Sequence, residues 1–138
     1  MMKIRKPIHD DWETPQYIKD MIIKEFGNYF DPCPLNSTFD GLNIEWGNIN
    51  YINPPYNRMI KEDFIKKAWE ESLKGKLCIM LLPVSTSTKI FHKYIYPYAE
   101  IRFLKGRVKF IGINSKNEKV TNKCGQHDSM LVIFKGGE

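Results

Sequence analysis

The chain of 138 residues has 42% hydrophobic and 27% charged residues, a formal net charge of +5 and a pI near 9.0. These values predict a single domain over residues 1–138, without a separate target-recognition domain, and favour a polyanionic partner. No apolar run reaches membrane-spanning length and the first residues lack an apolar signal region, so we expect a cytoplasmic protein without a membrane partner. Three scattered cysteines fit a reducing compartment.

The first part of the chain predicts a helix, a short strand and a loop. Thr14 is expected as the N-cap of the helix, Pro15 at its first helical position and Gly27 at its end. Its apolar residues at helical spacing are Tyr17, Ile18, Met21, Ile22 and Phe26. A short strand is predicted over residues 28–31, and residues 36–48 are predicted as a loop rich in Asn, Gly and Ser.

The remainder predicts alternating strands and helices, followed by strands alone. A strand over residues 49–52 precedes a helix with an apolar stripe, which ends at Gly75. The stripe consists of Ile60, Phe64, Ala68, Trp69 and Leu73. Residues 77–82 predict a strand buried on both faces, and Ser85 to Thr88 are expected to cap a helix. Further strands are predicted over 100–104, 107–111 and 130–134, with a hairpin turn at 105–106 and a polar loop over 114–126. The pattern indicates an α/β sheet with an antiparallel edge.

A double-proline motif, Asn53-Pro54-Pro55-Tyr56, follows the strand over residues 49–52. Proline has no backbone N–H, so the motif predicts a stiff loop at the carboxyl end of a strand, where α/β sheets bind ligands. The Asn53 side-chain oxygen and the Pro54 carbonyl can each accept a hydrogen bond from a planar NH2 group, and Tyr56 can stack on a ring. Two such acceptors would stabilise the positive charge that develops when the amine attacks. The alternative is a rigid turn without a catalytic role.

This motif resembles the catalytic motif of S-adenosylmethionine-dependent amino-methyltransferases, which modify adenine N6 or cytosine N4 in DNA, or glutamine in proteins. Residues 12–15 (Trp-Glu-Thr-Pro) resemble an element that lines the methionine end of the cofactor in many of these enzymes. Residues 31–34 (Asp-Pro-Cys-Pro) and three downstream segments, 81–92, 101–110 and 129–134, resemble phage-type DNA adenine methyltransferases. The resemblance covers residues 12–134 and implies a truncated Rossmann-like sheet, mostly parallel with an antiparallel edge and with helices on both faces.

The resemblance also implies the cofactor, S-adenosylmethionine, and the residues that contact it. The catalytic residues would be Asn53, Pro54, Pro55 and Tyr56. The cofactor-binding residues would be Trp12, Thr14, Pro15, Asp31, Pro32, Cys33, Asp40 and Asn53. Only about twenty residues separate Asp31 from Asn53, whereas a strand–helix–strand crossover needs about thirty, so the strand whose acid usually holds the ribose has no room. Asp40 or Glu45 would have to replace that acid from the loop.

DNA contacts are expected from two groups of polar residues. Ser85, Thr86 and Lys89 follow a predicted strand, and Lys105, Arg107 and Lys109 alternate with apolar residues, on one face of the predicted hairpin. An ordinary solvated strand face is the alternative for the second group. Cys124 and His127 have the spacing of half a zinc site without a second pair, so no metal is expected.

The expected function is transfer of a methyl group from S-adenosylmethionine to the N6 amine of adenine in DNA, by direct displacement on a flipped-out base. The motif alone leaves DNA cytosine-N4 and protein-glutamine methylation open. A catalytically silent DNA-binding module and one subunit of a larger enzyme are further alternatives. A second copy of the chain in a homodimer could supply sequence recognition. A phage-encoded member would act in the cytoplasm of the host cell.

Overall fold

The computed structural model describes residues 12–35, 37–55, 57–113, 119–124 and 127–136 of the chain. Both predicted long helices and the predicted buried strand are present. The elements in chain order are β1 (Trp12–Glu13), α1 (Gln16–Phe26), a 3₁₀ turn (Gly41–Asn43), β2 (Ile49–Ile52), α2 (Arg58–Ser72), β3 (Leu77–Pro83), a π-helical turn (Phe91–Ile95), β4 (Glu100–Phe103), β5 (Lys109–Ile113), β6 (Lys119–Cys124) and β7 (Ser129–Phe134).

The central sheet has the strand order β2-β3-β7-β4. Strands β2 and β3 pair in parallel, with Ile52 opposite Met80, whereas β7 pairs antiparallel with β3 on one side and with β4 on the other. The predicted α/β class is confirmed. Within the described residues, antiparallel pairing extends further than the single edge that the sequence predicted, because β7 runs between β3 and β4.

The sheet is covered on both faces, as predicted. On one face, Ile18 and Ile22 of α1 pack against Tyr51 of β2 and Ile79 of β3. On the other face, Phe64 and its neighbours from α2 pack against a second set of strand residues. That set is Ile52, Cys78, Met80, Leu82, Met130, Val132 and Phe134. The continuous apolar run of β3 therefore supplies side chains to both cores, which is why its sequence does not alternate.

The start of α1 differs from the prediction. Pro15, in an extended conformation with ψ 150°, is the N-cap, and no side chain caps the helix. Thr14 is buried and its hydroxyl bonds to the hydroxyl of Tyr51 instead. The predicted end is confirmed, because Gly27 has a φ of 99° and its N–H donates to the Ile23 carbonyl. Of the apolar residues at helical spacing, Tyr17 is 63% exposed, so the buried stripe is narrower than expected.

A second, smaller sheet has the order β1-β5-β6, and it corrects the predicted hairpin. Strand β4 pairs with β7, whereas β5 pairs with β1 and β6, so the strands flanking Lys105-Gly106 belong to different sheets. Strand β5 begins at Lys109 rather than Arg107, and β6 lies where a polar loop was predicted. The pairing of β1 with β5 was not predicted because it joins segments about a hundred residues apart, and the pairing of β5 with β6 was not predicted because β6 lies in a segment whose polar residues indicated a loop.

Two shorter predicted elements are present in reduced form. The predicted strand over residues 28–31 consists of one parallel bridge, Phe30 to Asn50, with two backbone hydrogen bonds of 2.8 and 3.0 Å. The helix predicted after Ser85 consists of two α-helical residues, 89 and 90, followed by the π-helical turn Phe91–Ile95. Thr88 caps it, since its Oγ1 accepts from the N–H of Phe91 at 3.3 Å.

Candidate active site

The double-proline motif joins the carboxyl end of β2 to the start of α2, as predicted. Ile52 is fully buried, Asn53 is half-buried, and Pro54 and Pro55 are buried. Asn57 then caps α2, because its Oδ1 accepts from the N–H of Ile60 at 3.1 Å. The corner is therefore held at both ends, by the sheet and by the helix cap. Tyr56 lies outside the described residues.

Asn53 faces a cleft of about 180 Å³. The residues that line it are Glu13, Thr14, Lys19, Asp31, Cys33, Pro34, Leu35 and Asn53. Residues from three separate segments, predicted independently as an amide, a carboxylate and a Thr-Pro element, thus meet at one place. Pro15 and Pro32 are buried, and each is a chain neighbour of residues that line the cleft. The side chain of Trp12 lies outside the described part of the chain.

The bridge at Phe30 brings Asp31 to the cleft that Asn53 also lines. Phe30 donates its N–H to the Ile49 carbonyl and accepts from the Tyr51 N–H, so the chain leaves this bridge at the carboxyl end of β2. Asp31 Oδ1 accepts from the N–H of Cys33 at 2.8 Å, which turns the chain immediately after the bridge. A carboxylate in this position can pair with a ligand ammonium group.

The hydroxyl of Thr14 holds the amino-terminal segment against the sheet. Thr14 Oγ1 and the Tyr51 hydroxyl are 2.8 Å apart and both residues are buried. Burial raises the pKa of Tyr51 far above its usual value, so the phenol stays protonated and can act as a hydrogen-bond donor at any physiological pH. The bond therefore fixes Thr14, which lines the cleft, against β2.

Glu13 and Lys19 also line the cleft, and the sequence did not single out either of them. Lys19 Nζ lies 3.3 Å from Glu13 Oε1, and both side chains are partly exposed. The pair adds one charge of each sign to the rim of the cleft. Glu13 belongs to the Trp-Glu-Thr-Pro element. Its contact with Lys19 depends on Pro15 being the extended N-cap of α1, whereas the sequence predicted Pro15 as the first helical residue.

A larger cavity of about 510 Å³ shares one lining residue, Cys33, with this cleft. Its other lining residues are Pro32, Ser37, Phe39, Asp40, Gly41, Leu42, Ile60, Asp63 and Phe64. Asp40 lines this cavity and does not line the cleft at Asn53, and its carboxylate has local partners. Oδ1 accepts from the Leu42 N–H at 3.0 Å and Oδ2 from the Asn43 side-chain amide at 2.7 Å. Glu45, the alternative acid, pairs with Lys74 and Lys76 and lines neither cavity.

The loop that walls the larger cavity is fixed by three contacts. A Cβ on Gly41 would lie 1.8 Å from the Pro32 carbonyl oxygen, so this close approach requires glycine. The indole of Trp46 donates to the Gly41 carbonyl at 2.7 Å. The N–H of Trp46 in turn donates to Glu71, a carboxylate buried on α2. The loop is thereby tied to the helix without the strand and helix that a full crossover would contain.

The residues expected to contact DNA are dispersed. Ser85 lines a third cavity, of about 160 Å³, together with Arg58 and Lys61 at the start of α2. Burial lowers the pKa of Lys61 from its usual value. Thr86 and Lys89 are exposed and do not line that cavity.

The basic group near β5 is exposed, while its apolar neighbours Val108 and Phe110 are buried, so the predicted alternation is confirmed. Lys105 and Arg107 precede β5 and only Lys109 lies on it, so the three cations do not share the face of a hairpin. Arg107 Nε lies 3.7 Å from Asp128 Oδ1. None of the three lines the cavities described above.

The residues of the cleft fit the methionine end of S-adenosylmethionine. Its ammonium needs a carboxylate, which Asp31 offers, and its carboxylate needs a cation, which Lys19 offers at the rim. The cleft alone is smaller than the range of about 300–1,000 Å³ typical of small-molecule sites. Among the described residues, no group of three or more His, Cys, Asp and Glu could hold a metal ion, and no helix could span a membrane.

Comparison with known proteins identifies the family. A family model for DNA N-6-adenine-methyltransferases (Dam) matches residues 2–137, whereas no curated protein sequence matches the chain. Among solved structures, a SAM-dependent O-methyltransferase from Thermotoga maritima is similar to it, with 13% identity and a TM-score of 0.35 over 66% of this chain. The chain spans about a third of that structure, 34%. S-adenosylmethionine is the methyl donor that the family implies. The chain belongs to the DNA N-6-adenine-methyltransferase (Dam) family.

Proposed function

We propose that this protein methylates the exocyclic N6 amine of adenine at specific sites in DNA, with S-adenosylmethionine as the methyl donor. The observation that carries the proposal is the shared cleft of Asn53 and Asp31, since it puts the amide of the double-proline motif beside a carboxylate suited to the cofactor's ammonium. Membership of the adenine-methyltransferase family supports DNA as the substrate.

The chain's own residues would align and stabilise the attacking amine. The Asn53 side-chain oxygen and the Pro54 carbonyl would accept one hydrogen bond from each N–H of the target NH2 group. When bound, S-adenosylmethionine supplies a methyl group on a positively charged sulfur, which departs as a neutral thioether. The amine nitrogen gains positive charge during attack, and two preorganised acceptors stabilise that charge. The surplus proton leaves to solvent.

Access to the amine requires the base to leave the duplex, because base pairing otherwise occupies the amine. Flipping costs a few kcal/mol. Stacking on Tyr56, worth about 1–3 kcal/mol by analogy with single-strand binding, would offset part of that cost. The exposed cations Lys89, Lys105, Arg107 and Lys109 would contact backbone phosphates together with Ser85 and Thr86.

Substrate identity is tested by incubating the protein with DNA, a protein mixture and S-adenosylmethionine carrying an isotope-labelled methyl group. Nucleosides from the DNA and peptides from the proteins are then analysed by mass spectrometry. We expect labelled N6-methyladenine. Labelled N4-methylcytosine or methylglutamine would overturn the assignment to adenine. Binding of DNA without any labelled product, and without binding of the cofactor in calorimetry, would favour a catalytically silent DNA-binding module.

The recognition sequence and the number of copies in the active complex require two further measurements. We propose a single catalytic domain that recognises a short sequence by itself or as a homodimer, in the cytoplasm of a phage-infected host cell. Sequencing of the modified DNA would identify the recognition sequence. Size-exclusion chromatography with light scattering, with and without DNA, would measure the number of copies in the active complex.

A further inference from the structure

The cavity of about 510 Å³ beside the active-site cleft has no part in the chemistry described so far. Its volume falls within the range of about 300–1,000 Å³ that is typical of small-molecule sites, whereas the cleft at Asn53 falls below it. Cys33 lines both spaces. Of the cavities described, this one alone shares a lining residue with the cleft. A ligand held at Asp31 by one end would therefore place its other end in this cavity.

We propose that this cavity binds the adenosine half of S-adenosylmethionine and that Asp63 accepts hydrogen bonds from the ribose hydroxyls. The inference rests on the proposed function, because it requires the methionine half to lie at Asp31. It assigns a site for the nucleoside in a chain that has no room for the strand whose acid usually holds the ribose.

The chemistry of the two walls matches a nucleoside. One wall is the face of α2 formed by Ile60, Asp63 and Phe64, which are three and four residues apart and so lie on one side of the helix. The facing wall contributes Phe39 and Leu42 from the loop. Four apolar side chains give a planar purine its contact surface, and an acid among them can accept from the vicinal hydroxyls of a ribose.

Asp63 is better placed for this role than Asp40, although both acids line the cavity. Both oxygens of Asp40 accept hydrogen bonds within the loop, from Leu42 and Asn43, so a ligand would compete with those bonds. The side chain of Asp63 is exposed on the first half of α2. Its helix is fixed at its start by the Asn57 cap, so the carboxylate projects from a rigid element.

The loop is also built to hold the cavity open before a ligand arrives. Ser37 Oγ donates to the Phe39 carbonyl at 2.6 Å and accepts from the Phe39 N–H at 3.2 Å, and the Phe39 ring stacks on Phe30 with centroids 5.9 Å apart. Together with the contacts of Gly41 and Trp46, these bonds fix the facing wall against the helix. A preformed wall reduces the entropy lost on binding.

Calorimetric titration with two probes tests this assignment without requiring catalysis. S-adenosylhomocysteine contains both halves of the cofactor, and 5′-methylthioadenosine contains the adenosine half alone. We expect Asp63→Asn to weaken both probes at least about tenfold, since hydrogen bonds to a charged group are lost. Asp31→Asn should weaken S-adenosylhomocysteine but leave methylthioadenosine within about threefold, because the second probe lacks the ammonium group. Glu70→Gln, an exposed acid on the same helix outside the cavity lining, is the matched control and should change neither affinity.

Three results would overturn the inference. The first is unchanged affinity of both probes for Asp63→Asn, together with unchanged affinity for Ile60→Phe, which narrows the same cavity. The second is binding of S-adenosylhomocysteine without detectable binding of methylthioadenosine to the wild-type protein at millimolar concentration. In both cases the proposed function would stand. The third is failure of both probes to bind the wild-type protein, which would overturn the proposed function as well.

Discussion

Substitution of Glu71 by Gln tests the cluster that ties the cavity loop to α2. Glu71 is 1% exposed and accepts hydrogen bonds from Lys76 at 2.7 Å, from Lys74 at 2.9 Å and from Lys67 at 3.1 Å. Its Oε1 also accepts from the N–H of Trp46 at 3.0 Å. The carboxylate is therefore the common partner of three cations and of the residue that holds Gly41.

The magnitude follows from how exposed each partner is. The Lys76 side chain is 11% exposed, so removing the charge of Glu71 leaves a buried cation whose remaining partners are the Trp46 carbonyl at 2.8 Å and the exposed Glu45 at 3.6 Å. Breaking a buried pair costs about 3–5 kcal/mol, whereas the half-exposed Lys74 contributes little. Because Gln keeps an oxygen for the Trp46 N–H, we expect a loss near the lower limit, about 3 kcal/mol of unfolding free energy.

The pH dependence of the unfolding free energy is a second test of the same cluster. Burial alone would raise the pKa of Glu71, but the hydrogen bonds from Lys76, Lys74, the Trp46 amide and Lys67 lower it well below the usual 4.5. The unfolded chain therefore binds a proton in a pH range where the folded chain does not. The stability that Glu71 contributes is fully present above its unfolded pKa and is lost as the pH falls below it, through the folded pKa.

Urea denaturation of both proteins between about pH 7 and pH 3 measures these quantities. We expect the difference in unfolding free energy between wild type and Glu71→Gln to be largest at pH 7 and to decrease below about pH 4.5. Glu70→Gln, on the exposed side of α2, should cost little at any pH. A loss below about 1 kcal/mol for Glu71→Gln, or a difference that does not change with pH, would refute the reasoning.

Two further substitutions test the walls of the site. Thr14→Val should cost about 1–2 kcal/mol in urea denaturation because the buried Tyr51 hydroxyl loses its partner, and adding Tyr51→Phe should cost less than the sum of the two single changes; strict additivity would mean that the bond contributes nothing. Gly41→Ala should cost at least about 1–3 kcal/mol and weaken binding of S-adenosylhomocysteine, because its Cβ would displace Pro32 and the loop; an unchanged melting temperature would contradict this.

The layers of the fold could be predicted because they depend on local periodicity. The apolar stripe from Ile60 to Ala68 and the continuous apolar run from residue 77 to residue 82 identify α2 and β3 without knowledge of their partners. The sheet of β1, β5 and β6 could not be predicted. Strand β1 has two residues, and its register opposite Ile111 and Gly112 depends on a contact between segments about a hundred residues apart.

One part of the candidate site could be predicted from the sequence and another part could not. The sequence placed Asp31 and Asn53 each at the carboxyl end of a strand. Strands that end at the same edge of a sheet bring such residues together, and both residues line one cleft. The larger cavity could not be predicted, because its wall depends on how Gly41 meets Pro32 and how Trp46 meets Glu71. The wrong assignment of Thr14 as a helix cap has a similar cause. Its hydroxyl has a tertiary partner, Tyr51, that local capping rules do not include.

The most direct test of the central claim is the rate of N6-methyladenine formation by Asn53→Ala, measured by nucleoside mass spectrometry at saturating S-adenosylmethionine. Asn28→Ala, an exposed asparagine outside the cleft, is the matched control, and thermal denaturation confirms that both variants fold. We predict a rate at least about 10²-fold below wild type for Asn53→Ala, as for loss of a preorganised polar contact, and a normal rate for the control. Near-normal methylation of adenine by folded Asn53→Ala protein would contradict the account.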